Sequence, residues 1–457
     1  MQSKFFASFA FCFQMLTISA YSQEFLLMRY DENYETMKDS SRNFYNTLKF
    51  LPLSKNKKIY VSFGGEARLE YVFAYNENWN KFNIGHNDFS LQRYDFHADI
   101  HLGSRFRVFT QLRSALQNGR KNGSRPIDED KLNIQNLFVD ALVWNKSPHA
   151  LTLRIGKQEL DYGSSKLISV REGPNARLYF TGAKAMYASS KFYTDVFAMK
   201  ADTIKPGVFD NKTSRNVNLW GVYTSSMISN IVNLDIFYIG IYREHAVFEE
   251  GIADETRHTV GARFFKYVGG FTYDVEGSYQ FGRFGDGSIR AWAGSIDIGY
   301  QFQYVKFKPT IYLRSDAISG DRHQGDGRLG SFNPIYPKGG YFGFNPQIGP
   351  VNLLALHPYA TFLFLPNLLF QADIVMNWRY SSQDGVYRPS GGFNLPGSSS
   401  SNRHIGTAFL ASTLYSFNPF ISVTTGIQYF KTGSFIQDII PHAKDGIFFN
   451  ARIKFMF

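Results

Sequence analysis

Gly446-Ile447-Phe448-Phe449-Asn450-Ala451-Arg452-Ile453-Lys454-Phe455-Met456-Phe457 closes the chain with a regular alternation. Ile447, Phe449, Ala451, Ile453, Phe455 and Phe457 share one face. Phe448, Asn450, Arg452, Lys454 and Met456 share the other. Successive side chains of a strand point to opposite faces. An apolar face and a charged face, ending on a C-terminal Phe, suit a last strand with lipid on one side and a wet lumen on the other. The last strand of a soluble sandwich would alternate in the same way. Repetition of the pattern along the chain favours a transmembrane barrel.

The first such segment places Ile59, Val61, Phe63, Ala67, Leu69, Tyr71 and Phe73 opposite Ser62, Glu66, Arg68 and Glu70. The second sets Tyr94, Phe96, Ala98, Ile100 and Leu102 against Arg93, Asp95, His97, Asp99 and His101. Later segments repeat the pattern, among them Phe271–Phe281, Val305–Asp316 and Phe370–Tyr380. The spacing predicts roughly eighteen strands, near 59–75, 88–102, 105–118, 132–144, 150–160, 181–189, 192–202, 216–225, 232–243, 257–267, 271–282, 289–302, 304–316, 351–363, 368–380, 405–416, 420–431 and 446–457. The predicted fold is therefore all-β, a transmembrane antiparallel barrel spanning 58–457. Barrels of about 16–18 strands hold a water-filled interior. Tight links at 266–270 and 416–419 are expected on the periplasmic side. Long connections at 317–350 and 381–404 are expected outside the cell or folded inward. The second of these carries the low-complexity run Ser398–Ser401, read as mobile.

The start of the chain agrees. Lys4 is the only charge before Glu24, Phe5 to Ile18 is almost wholly apolar, and Ala20-Tyr21-Ser22 offers small residues for cleavage. Residues 1–22 read as a cleaved signal peptide and 23–57 as a polar periplasmic lead-in. The one cysteine, Cys12, lies in the signal segment, so disulfides and thiolate metal sites have no material. No later run reaches the ~18 apolar residues of a membrane helix. Aromatics make up 17% of the chain, more than a soluble core needs but suited to the aromatic girdles of a barrel. The net charge of +11 becomes +10 without Lys4, and the cations alternate along strands. That distribution points to a charged lumen and against nucleic-acid binding.

No enzyme motif is present: neither G-x-S-x-G, nor H-E-x-x-H, nor a phosphate-binding glycine loop. His97, Asp99 and His101 have chelate spacing, and Glu66 with Glu70 has the outline of a glycosidase pair. Both sets are expected to be lumen-facing polar residues, the glutamates in a salt-bridge lattice with Arg68. The Asp321/Asp326 loop lacks calcium-ligand spacing, and Asn211-Lys212-Thr213 is an incidental glycosylation match. The richest stretch is 153–187. Arg154, Lys157, Lys166, Arg171 and Arg177 stand at and just after a strand end, shaped by Gly163, Gly173 and Pro174. In a lumen these cations would draw carboxylates or phosphates. Pairing with Glu159, Asp161 and Glu172 would instead stiffen the loop. Both roles stand.

Arg154-Ile155-Gly156-Lys157-Gln158-Glu159-Leu160 with Tyr162-Gly163, then Arg171-Glu172-Gly173-Pro174-Asn175 and Gly182-Ala183, resembles the alginate-export family of outer-membrane barrels. So do Gly65-Glu66-x-Arg68, Arg93 with His97-Ala98-Asp99, Arg107-Val108-Phe109-x-Gln111-Leu112, and Phe332-Asn333-Pro334-x-Tyr336-Pro337. The resemblance covers nearly all of the chain after the signal segment. It implies an eighteen-stranded barrel of the Gram-negative outer membrane that passes an anionic uronate polymer without catalysis and without a cofactor. By motif match, Arg68, Arg93, Arg107, Arg154, Arg171 and Arg177 would form the cationic path, with Glu66 and Glu159 tuning it. Lys157 stands where an Arg is usual, replacing a two-pronged donor with a point charge. The expected partners are an anionic polysaccharide, outer-membrane lipid and a periplasmic export component. The rival readings are a small-anion porin for uptake, a barrel enzyme, and an adhesin displaying the 317–350 loop.

Overall fold

Closing a sheet on itself leaves no strand with an unpaired edge, and the chain adopts that solution. The computed structural model describes residues 25–40 and 43–457. Its main sheet holds twenty strands, two of them two-residue pieces at Leu51–Pro52 and Arg328–Leu329. The other eighteen form the barrel. They are β1 (Ile59–Tyr75), β2 (His86–Leu102), β3 (Phe106–Asn118), β4 (Asp130–Lys146), β5 (His149–Gln158), β6 (Phe180–Ala188), β7 (Phe192–Thr203), β8 (Lys212–Met227), β9 (Asn233–Phe248), β10 (Gly251–Val268), β11 (Phe271–Phe284), β12 (Gly287–Gln301), β13 (Thr310–Ile318), β14 (Leu353–Leu365), β15 (Leu368–Arg379), β16 (His404–Ser416), β17 (Ile421–Thr432) and β18 (Gly446–Met456). Each pairs antiparallel with its sequence neighbour, and β18 returns to β1 with Glu66 opposite Met456 and Tyr75 opposite Ile447. The predicted signal peptide lies outside the described residues.

Each predicted segment corresponds to one strand. Two differ most in where they start: the tenth begins at Gly251, not at 257, and the thirteenth at Thr310, not at 304. Residues 302–309 form a turn in which Phe302 N–H donates to the Pro309 carbonyl at 2.9 Å. Phe307 and Lys308 there have positive φ, and Pro309 has no N–H for a ladder. Val305, Lys306, Phe307 and Lys308 therefore belong to the turn, not to alternating strand faces.

The predicted faces separate as a barrel wall requires. Leu69, Tyr71, Tyr94, Phe96, Ile155, Ile453 and Phe455 are exposed on the outer wall, while Arg68, Glu70, Arg93, Asp95, His97 and Asp99 are buried inside. No helix among the described residues is long and apolar enough to cross a membrane. The strands make the crossing.

One end of the barrel carries the short links, such as 103–105, 147–148, 269–270 and 366–367, together with the C-terminus. Outer-membrane barrels place such turns on the periplasmic side. The other end carries the long connections 159–179, 319–352 and 380–403. At the short-link end, helix α1 (Phe44–Lys49) is capped by the Asn43 side chain, which accepts from Asn46 N–H. Beyond it, Phe50 stacks on Tyr60 at 4.3 Å, and Leu51–Pro52 pairs with β1 where β18 has ended.

Candidate functional site: a constriction built in the lumen

Three segments fold into the barrel and meet there. The first is 159–179, between β5 and β6. Gly163, Ser165 and Arg171 adopt positive φ, which breaks any regular element. Gly163 has a further reason to be glycine: a Cβ there would lie 2.3 Å from the Tyr223 hydroxyl. Leu160, Leu167, Ile168, Val170, Ala176 and Tyr179 are buried, so the loop has its own apolar anchors. Asn175 is wholly buried, and its Nδ2 donates to the carbonyls of Gln92, Leu116 and Asp128 at 2.9–3.0 Å.

The second segment belongs to 319–352. Tyr336 N–H donates to the Leu167 carbonyl at 2.8 Å and Lys338 N–H to the Ser165 carbonyl at 2.9 Å, so the two inward loops pair with each other. Arg257 holds this loop to the wall through the Ser331 carbonyl at 3.0 Å, and Gln280 and Glu255 hold Asn333.

The third segment is the lead-in, and its residues 25–34 do not stay outside the barrel. Tyr30 packs edge-on against Phe109 and Phe138 on the inner wall and donates to the Glu159 carbonyl at 2.8 Å. Arg177 donates to the Leu27 carbonyl at 3.1 Å, and Arg107 to the Tyr30 carbonyl. Polar, irregular composition at 24–57 gave no sign of this. Arg29-Tyr30 reads as lead-in until its partners, between 36 and 428 positions away, are known.

Against this frame most of the predicted path residues are struts. Arg68 is buried and donates to the Glu172 and Pro174 carbonyls, both at 3.1 Å, and to Asn175 Oδ1 at 3.2 Å. Arg93 is wholly buried between Glu66, at 2.7 and 2.9 Å, and Glu172. Arg177 lies 3.1 Å from Glu159 and 3.3 Å from Glu172. Arg154 grips Asp140 with two bonds of 2.7 and 2.8 Å and stacks 3.8 Å from the Phe138 ring. Glu172 is thus the hub of a buried lattice of Arg68, Arg93 and Arg177. Burial alone would raise its carboxyl, but the three guanidinium groups outweigh that and hold it well below the usual carboxylate range. Glu66 and Glu159 complete the lattice.

Three predicted cations remain partly open to the interior. Arg107 takes Asp99 with bonds of 2.6 and 2.9 Å. Lys157 stands 3.8 Å from Asp202 and 4.8 Å from the Tyr179 ring. Arg171 has a different setting: it donates to the Pro337 carbonyl at 3.2 Å where the two inward loops meet, with no carboxylate within salt-bridge distance among the described residues. Burial lowers it to about 10, which leaves it fully charged at neutral pH.

The weighed chelate and glycosidase readings find other partners. Asp99 is committed to Arg107 and His101, and His101 stacks on Tyr60 at 4.3 Å. Glu70 is taken by Arg452 and Asn450. The Ser398–Ser401 run is tied down: Arg379 donates to the Gly397 carbonyl at 2.9 Å and the Ser400 carbonyl at 2.6 Å. Between the inward loops and β11–β13 lies a cleft of about 490 Å³, edged by Lys166, Lys338, Glu276 and Asp316 over a floor including Phe332 and Pro334. Lys338 and Asp316 are single members of long polar stretches, and nothing in their spacing marks a shared cleft.

The family model for alginate export matches residues 59–450. No curated protein matches the chain. Among solved structures, Acinetobacter baumannii OccAB1 superposes with a TM-score of 0.59 at 14% identity, over 90% of this chain and 99% of that one. A BenF-like porin from Pseudomonas fluorescens gives 0.57 at 10% identity, over 87% and 98%. Pseudomonas aeruginosa OccK2, solved in complex with glucuronate, gives 0.55 at 10% identity, over 87% and 96%. At these identities the likeness shows a shared fold, that of outer-membrane porins. The closed eighteen-strand wall, the lumen narrowed by its own loops and the family match over almost the whole barrel lead to one assignment: the chain belongs to the alginate-export family of Gram-negative outer-membrane pores.

Proposed function

We propose that this pore passes an anionic uronate polymer or oligosaccharide, without catalysis, through a constriction whose least neutralised cation is the partly open Arg171. One observation carries the reading. Arg171 is a guanidinium held at the junction of the two inward loops, and among the described residues its hydrogen-bond partner is a carbonyl, that of Pro337. Neutralised arginines brace walls; an uncommitted one can exchange one passing carboxylate for the next, which passage through a pore requires. Arg107 and Lys157 supply weaker, partly neutralised steps. The glucuronate in the OccK2 complex belongs to that porin, and its presence in a barrel of this fold supports the reading. A periplasmic component that delivers the polymer fits the same reading.

The second reading, a porin for small anions, draws on the same similarity, since glucuronate is a monomer. Single-channel recording of the purified protein in a planar bilayer separates them. The polymer reading expects anion selectivity and block by polyuronate at concentrations where a neutral glucan has no effect, with block weakened in Arg171→Gln. Block by free glucuronate alone, with polyuronate inert, would favour the small-anion porin. A channel indifferent to both overturns the uronate reading.

A further inference from the structure

The lead-in segment does more than fill space. From Met28 to Tyr34 every side chain is buried except those of Asp31 and Asn33. The burial has clear causes. Met28 and Tyr30 join Phe109, Phe138 and Val170 in one apolar cluster, and Glu32 accepts from Arg29 Nε at 2.7 Å and the Tyr34 hydroxyl at 2.6 Å. With its neighbours fixed on both sides, Asp31 stays exposed.

Its place in the barrel follows from its neighbour Tyr30, whose ring packs on Phe109 and Phe138 of the inner wall and whose carbonyl accepts from Arg107. The exposed Asp31 therefore lies in the barrel interior, where Arg107, Arg154, Lys184 and Asp195 of β3, β5, β6 and β7 act on it.

The wall charges around it are already balanced. Arg107 pairs with Asp99 at 2.6 Å, Arg154 with Asp140 at 2.7 Å and Lys184 with Asp195 at 3.1 Å. These three cations face three wall carboxylates, and among the described residues Asp31 stands outside any ion pair. A charge exposed in a confined lumen with low-dielectric walls is screened less than one on an open surface.

We infer that Asp31 is a selectivity-determining residue of the pore: a fixed negative charge, carried into the lumen by the N-terminal segment, that restrains anion passage. The inference rests on the chain being a pore, not on the polymer it carries. Asp31 acts as a counterweight to Arg171. One attracts the solute and the other keeps the attraction from becoming a trap.

The test is the reversal potential of the full-length protein in a planar bilayer under a potassium chloride gradient. Asp31→Asn should raise the chloride-to-potassium permeability ratio by about two- to fivefold, the size expected of one charge at partial screening. A second variant tests position. Cys12 is the only cysteine, so Asp31→Cys with Cys12→Ser presents one thiol. A sulfonate-bearing methanethiosulfonate should return the variant to wild-type selectivity, and a trimethylammonium reagent should raise anion preference further. An unreactive thiol in a conducting channel, or an unchanged ratio in Asp31→Asn, overturns the inference. A cation-selective wild type that still shifts with Asp31→Asn supports it while removing the uronate reading. No wild-type channel at all overturns both.

Discussion

Arg29 Nη2 donates to the main-chain carbonyl of Phe457 at 2.9 Å, joining the inward lead-in to the last residue of the chain across 428 positions. Its Nη1 donates to the Gly65 carbonyl at 3.0 Å. Gly65 and Phe457 are also bonded to each other, at 3.0 and 3.1 Å. One guanidinium therefore spans the seam where the barrel closes, and Glu32 neutralises it. The segment that carries Asp31 into the lumen is anchored at the point where the first and last strands meet.

Arg29→Ala should release this anchor. Two charge-assisted bonds to carbonyls and the pair with Glu32 are lost, and Glu32 is left buried, at a cost of about 2–3 kcal/mol. Protease cleavage within residues 25–40 should accelerate while the barrel itself remains heat-modifiable on gels. Equal protection of the segment in the variant would count against the seam anchor.

The Glu172 hub makes a second case. Glu172→Gln removes the charge that Arg68, Arg93 and Arg177 share and leaves buried guanidinium groups in excess. The 159–179 loop should leave the lumen part of the time. Single-channel conductance should rise and become noisier, with strand content by circular dichroism unchanged.

Arg154 and Arg171 should behave differently although both were expected on the path. Arg154→Ala strands Asp140 and removes the cation stacked on Phe138 and Tyr30, so it should destabilise the barrel by roughly 3 kcal/mol and leave polyuronate block largely intact. Arg171→Gln should do the reverse, weakening block with little change in melting. Thermal unfolding and bilayer recording on the same pair of variants check both halves.

Lys49 gives a pH dependence. Its ammonium is wholly buried with no hydrogen-bond acceptor among the described residues, 4.6 Å from the Tyr34 ring with the Phe25 and Tyr45 rings further out. Burial pulls it down from its ordinary value to about 8. The folded state disfavours the charge, so the penalty is full below pH 8 and fades as pH rises between about 8 and 10.5. The penalty is about 3 kcal/mol before the rings offset part of it. Protection of the lead-in from protease should increase from pH 7 to pH 9.5, and Lys49→Met should be at least as well protected at pH 7 and lose the pH dependence.

The sequence by itself determined the wall. Strand alternation has a period of two and is enforced residue by residue by lipid on one side and water on the other, so Leu69, Tyr71, Phe96 and Ile453 announce their faces locally. The eighteen segments were legible for that reason; strand starts were less so, with the tenth at Gly251 instead of 257 and the thirteenth delayed to Thr310, where a turn at Pro309 interrupts an alternating pattern that continues on paper. The lumen was decided by tertiary structure alone. Arg68, Arg93, Arg154 and Arg177 read as path cations because their charge is visible in the sequence and their partners are not. Those partners lie on other strands and loops and come together only when the barrel closes and its loops turn inward. Among the described residues Arg171 differs from them because no carboxylate pairs with it, and Asp31 stands apart because no cation does. Such differences are sums over groups distant in the chain, which no local pattern records.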